Sequence, residues 1–131
     1  MLDAGFTAPA SWPLIGREHE LTRIAAARAE GAPAVAICAD AGVGKTHLAR
    51  HALEQAGHAG TFHAWVHVTR SSTSIPLAAW GGLVPPGTSL ENEAGFIQVL
   101  VNVLREQAAG REIVVGVDDA QLLDAASATF L

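Results

Sequence analysis

Residues 39–46 read ADAGVGKT and bring two glycines, a lysine and a threonine hydroxyl into one short loop. That set suits the capture of a polyphosphate. Backbone N–H groups can converge on an anion where a helix begins, because the first amides of a helix lack acceptors and carry its positive dipole end. Gly44 has no Cβ to keep a phosphate away from the backbone, and Gly42 gives the far side of the loop its freedom. Lys45 can reach the outer phosphates and Thr46 can offer its hydroxyl to Mg²⁺. Ala41, Val43 and His47 complete the run whose backbone would line the anion. The first position of the usual G-x-x-x-x-G-K-[ST] pattern is Ala39 here, and the GKT end is intact. A second acidic motif comes later, where IVVGVDD (113–119) ends in two carboxylates. Ligands of open α/β sheets gather at the carboxyl ends of the strands. Asp118 is therefore the expected partner of Mg²⁺, and Asp119 could orient or deprotonate an attacking water.

The elements needed to hold these groups can be read along the chain. Residues 1–13 are rich in Ala and Pro and read as an irregular lead-in, and 14–131 as a partial domain. Helical spacing of Leu21, Ile24, Ala25 and Arg28 predicts a helix from about Glu18 to Glu30, stopped by Gly31 and Pro33. AVAICA (34–39) is a continuous apolar run of the kind buried on both faces of a parallel sheet. A helix is expected from Lys45 to about Ala56, with Leu48, Ala49, Ala52, Leu53 and Ala56 as its buried stripe. TFHAWVHVT (61–69) alternates, which puts Phe62, Ala64, Val66 and Val68 on one face and His63, Trp65, His67 and Thr69 on the other. Residues 70–88 read as loop with a short helical turn around 77–80. Thr88 and Glu91 have capping-box spacing ahead of a helix over about 91–109, with Phe96, Ile97, Leu100, Val103 and Leu104 on one side. A third buried strand over 113–119 completes an α-β-α-β-α-β order. The fold class is α/β, a parallel sheet with flanking helices.

Composition narrows the partners. The 131 residues carry a formal net charge of -5 with 8 Lys+Arg, against broad binding to DNA or RNA. The single cysteine, Cys38, excludes an intrachain disulfide and is expected to behave as a small buried hydrophobe. The N-terminus lacks a secretory pattern, and no apolar run approaches the ~20 residues that span a bilayer, so a cytoplasmic protein is expected. His47 with His51, and His63 with His67, share local faces but lack a third ligand, so packing or surface roles are expected for them. Trp65 and Trp80 could stack on a base; packing is the expectation. Arg17 could approach a nucleotide or be solvated.

In combination, WPLIGREHEL, ICADAGVGKTHLAR, AWVHVTRSSTSIPLAAWGGLVP and IVVGVDDAQLLDAAS resemble the ATPase module of large LuxR-type transcriptional regulators, which belong to the AAA-like signalling ATPases called the STAND group. The resemblance runs from about Trp12 to the end. It implies ATP and Mg²⁺ as cofactors, Ile15, Gly16 and Arg17 near the adenine, and a switch in which bound ATP holds an oligomer-competent form that hydrolysis resets. It implies self-association or a longer ATPase partner. It also implies a P-loop NTPase-like sheet that is incomplete here, lacking later strands and the lid, and hence marginal folding and poor turnover. The DNA reader of such regulators has no counterpart in this chain. A non-catalytic remnant acting as an interaction module is the alternative, and a P-loop kinase disagrees with the GRE and DDAQLLD segments.

Overall fold

A computed structural model describes residues 14–131, so the expected lead-in over 1–13 lies outside the described residues. Two compact units divide the chain, Met1–Leu48 and Ala49–Leu131. In the first, α1 (Glu18–Ala29) follows a turn at Gly16, whose φ of +78° is in the region glycine tolerates. Glu18 and Glu20 in its first turn complement the positive end of the helix. Leu21 is the residue of α1 that is buried. Gly31, at a φ of +84°, closes the helix.

The strand expected over 34–39 does not form. A strand exists only through a ladder, and no other described segment pairs with this one. Val35 is 45% exposed and Cys38 is exposed as well, which corrects the reading of Cys38 as a buried hydrophobe.

The boundary between the units falls inside α2 (Lys45–His58), which runs past Gly57, the expected stop. Leu48, Leu53 and Ala56 of its expected stripe are buried, and Ala49 and Ala52 are half-buried. In the second unit, β1 (Phe62–His67) and β2 (Ile113–Asp118) pair in parallel, in register from Phe62↔Ile113 to His67↔Asp118. The crossover between them carries α3 (Glu93–Ala108). Alternation in β1 falls as expected: Val66 and Val68 join Leu77, Trp80, Phe96, Leu100 and Leu104 in the core, while His63 and His67 are exposed. α3 is capped by Asn92, whose side chain accepts from the Gly95 amide, and not by the Thr88 and Glu91 pair. Thr88 instead donates its hydroxyl proton to the Pro85 carbonyl in the turn before.

Between β1 and α3 the chain makes two 3₁₀ turns, Arg70–Ser72 and Ala78–Leu83, close to the short helical turn expected there. Trp80 in the second turn is fully buried and meets Phe130 edge-on at 5.0 Å between centroids. Phe130 ends α4 (Ala125–Phe130), which follows a further 3₁₀ turn at Ala120–Leu122.

On the opposite face of the sheet, the Trp65 indole lies across β2 at its register partner Gly116. A Cβ at Gly116 would stand 2.5 Å from Trp65 Cε3 and 3.2 Å from Leu53 Cδ2. The Arg50 guanidinium also lies over the ring, 4.6 Å from its centroid. Gly116→Ala is therefore expected to cost about 1–3 kcal/mol, the usual penalty of overpacking. A urea titration followed by tryptophan fluorescence reads the shift in midpoint. An unchanged midpoint would mean that the indole moves aside freely.

Candidate phosphate loop and acidic strand end

Each of the two candidate groups lies within one unit: Ile15, Gly16, Arg17 and residues 41–47 in the first, Asp118 and Asp119 in the second. In the first, residues 41–44 form an exposed turn and α2 starts at Lys45. The first helical bond runs from the Leu48 amide to the Gly44 carbonyl at 3.0 Å, which makes Gly44 the residue on which the helix opens. Gly42 and Gly44 have φ of +80° and +89°, a conformation that strains any side chain, although a Cβ at either position would meet open space. Backbone geometry, more than crowding, thus calls for glycine at both. The amides of Ala41, Gly42, Val43 and Gly44 have no backbone acceptor among the described residues. Solvent-facing donors at a helix start are the arrangement that an anion completes.

Lys45 folds back over the loop. Its Nζ donates to the carbonyls of Ala39 at 2.7 Å and Asp40 at 2.6 Å, placing the ammonium at the mouth of the turn. Arg17 anchors the other side: its Nη2 donates to the Val43 carbonyl at 2.8 Å and its Nη1 to Glu20 Oε1 at 2.9 Å. The Arg17 hydrogen bond holds the Glu20 carboxyl below its usual range. The guanidinium expected near the adenine is thus also a brace joining the start of α1 to the phosphate loop. Ile15 is 84% exposed and offers an apolar side chain to solvent. Thr46 and His47 are exposed on the first turn of α2.

In the second unit, Asp118 ends β2 with its side chain 19% exposed. Its carbonyl accepts from the Val68 amide, and its Oδ1 from the Asp119 amide at 3.1 Å. His67 ends β1 directly opposite in the register, with Nδ1 3.5 Å from Asp118 Oδ2. Sequence reading paired His67 with His63 and missed this neighbour, although both residues end parallel strands. Asp119 is exposed at a φ of 55°, left-handed backbone that aspartate tolerates better than most residues. Its Oδ1 accepts from Gln121 Nε2 at 3.1 Å.

Residues 13–131 match the family described as AAA ATPase domain, and the chain belongs to that family. The class is thus a P-loop NTPase module, which accounts for a glycine-bearing loop opening a helix and a strand that ends in carboxylates. No curated protein and no solved structure matches the chain. Among the described residues no helix is long and apolar enough to cross a membrane.

Proposed function

We propose that the chain binds Mg·ATP and serves as the nucleotide switch of a LuxR-type transcriptional regulator of the STAND group. The observation that carries the nucleotide part is the row of open amides over residues 41–44 beside the Lys45 ammonium. In this reading the amides of Ala41, Gly42, Val43, Gly44, Lys45, Thr46 and His47 cradle the phosphates, and Lys45 exchanges the Ala39 and Asp40 carbonyls for phosphate oxygens. Ile15, Gly16 and Arg17 border the adenine. The Thr46 hydroxyl in the first unit and the Asp118 carboxylate in the second are each an oxygen donor of the kind that Mg²⁺, a hard cation, prefers. Bound Mg²⁺ would neutralise charge on the phosphates. Asp119 takes the proton of the attacking water or orients it. The regulatory part rests on the GRE box and the DDAQLLD segment taken together.

The exposed apolar 34–39 segment supports a second reading, an interaction module that associates with itself or with a longer ATPase and turns over no nucleotide. Calorimetric titration with ATP separates the two. Saturable binding strengthened by Mg²⁺ supports the switch; no uptake at millimolar ATP, with self-association intact, supports the module. Asp118→Asn is expected to weaken binding of Mg·ATP roughly tenfold, in the range seen when a metal loses a supporting group. Binding in excess EDTA should stay the same. Equal weakening with and without the metal would remove Asp118 from the Mg²⁺ site.

A further inference from the structure

Strands β1 and β2 end together. Their register closes with His67 opposite Asp118, and the Val68 amide donates to the Asp118 carbonyl at 3.1 Å. Residues paired across a sheet turn their side chains to the same face, so this imidazole and this carboxylate are neighbours at the strand ends. Nδ1 of His67 lies 3.5 Å from Asp118 Oδ2, and the Asp119 amide donates to Oδ1 at 3.1 Å. Each carboxylate oxygen thus has a nitrogen beside it. A carboxylate offers about four lone-pair sites, so one contact per oxygen fixes the plane of the group and leaves it able to hold a cation. The imidazole contact is about 0.3 Å beyond the usual N–H···O range, a gap within reach of a small turn of a ring that is 55% exposed.

From this geometry we infer that His67 is a positioning residue for Asp118: its Nδ1–H holds Oδ2 and so aims the carboxylate at the cation. The inference rests on the Mg²⁺ reading of Asp118 given above. Imidazole is a poor ligand for Mg²⁺, which takes oxygen, so His67 acts on the carboxylate and not on the ion. Carboxylates that bind metals are commonly held by outer partners of this kind, and loss of such a partner costs about 10–100-fold in affinity. The exposure of His67 puts its contribution at or below the low end of that range. For the same reason its removal should change the melting temperature little. Donation through Nδ1 also fixes which ring nitrogen carries the proton in the neutral imidazole.

Calorimetry on the full chain tests this with ATP in Mg²⁺ and in excess EDTA. His67→Ala should weaken binding about three- to tenfold in Mg²⁺ and leave it unchanged in EDTA. His67→Asn, whose amide can stand where Nδ1 stands, should bind Mg·ATP within about twofold of wild type. His67→Gln, whose amide lies farther out, should resemble His67→Ala. ¹⁵N NMR of the nucleotide-free chain reads the contact without any metal. The neutral His67 ring should be the Nδ1–H tautomer in wild type and Nε2–H, the form a free imidazole prefers, in Asp118→Ala. Equal weakening with and without Mg²⁺, equal affinities of the Asn and Gln variants, or a wild-type ring protonated on Nε2 overturns the assignment. Normal binding by His67→Ala beside weakened binding by Asp118→Asn removes the role of His67 alone. A wild type that binds no Mg·ATP removes the reading of Asp118 and this assignment with it.

Discussion

Lys45→Ala is expected to weaken ATP binding at least about a hundredfold, because two charge-assisted hydrogen bonds at about 1.5–3 kcal/mol each are lost from the phosphates. In the structure Lys45 Nζ holds the Ala39 and Asp40 carbonyls at 2.7 and 2.6 Å. Those contacts are exposed, so their loss is expected to change the melting temperature little. Affinity and stability therefore separate in this variant, and calorimetry beside a thermal melt reads both. Lys45→Arg is the informative companion. It keeps the charge but replaces a compact ammonium with a planar fork, and it should restore little of the affinity. An affinity for ATP within about threefold of wild type in Lys45→Ala would place the phosphates elsewhere and end the nucleotide reading of this loop.

Asp124→Ala is the substitution expected to cost most in stability, about 2–4 kcal/mol from a lost helix cap and lost charge-assisted hydrogen bonds. Asp124 caps α4, and its carboxylate accepts from the Ser127 amide at 3.0 Å, from the Ser127 hydroxyl, and from the Leu77 amide at 3.4 Å. The last contact matters because Leu77 is fully buried at a φ of 62°, where a bulky side chain is strained. One carboxylate thus pins a strained core residue to a short helix. Burial alone would raise the Asp124 carboxyl, but the hydrogen bonds from Ser127 and Leu77 outweigh it and hold it below its usual range. The sign follows from linkage. A carboxyl with a depressed folded value contributes its stability above the unfolded value, near pH 4, and loses it as pH falls through the folded value. Melts of wild type and Asp124→Ala should therefore differ most at neutral pH and converge below about pH 4. Asp124→Asn, which can still cap, should fall between the two. A gap that stays constant down to pH 2.5 would show that the carboxylate charge is not what stabilises the wild type.

Membership of the AAA ATPase domain family agrees with what residues 39–46 and 113–119 imply, and adds that the GRE segment belongs to the same domain, since the match begins at residue 13. Arg17 gives that segment a physical function: its bond to the Val43 carbonyl couples the start of α1 to the phosphate loop.

The chain's local patterns alone determined much of this architecture. Helices α1, α2 and α3, the inward face of β1 and the opening of α2 at Lys45 all follow from spacing, because each depends on neighbours a few residues away. Only the tertiary structure decided the rest. AVAICA has the composition of a buried strand, yet it is exposed, because a strand depends on a partner that its own residues cannot supply. The cap of α3 moved to Asn92, where the side chain reaches the Gly95 amide. His67 came to face Asp118, and Trp65 to lie over Gly116, through a parallel register between segments far apart in the chain. Leu77 took a left-handed backbone that no local preference favours, held there by Asp124 from near the other end of the unit. In each case the deciding contact joins residues distant in sequence, and periodicity carries no information about such pairs.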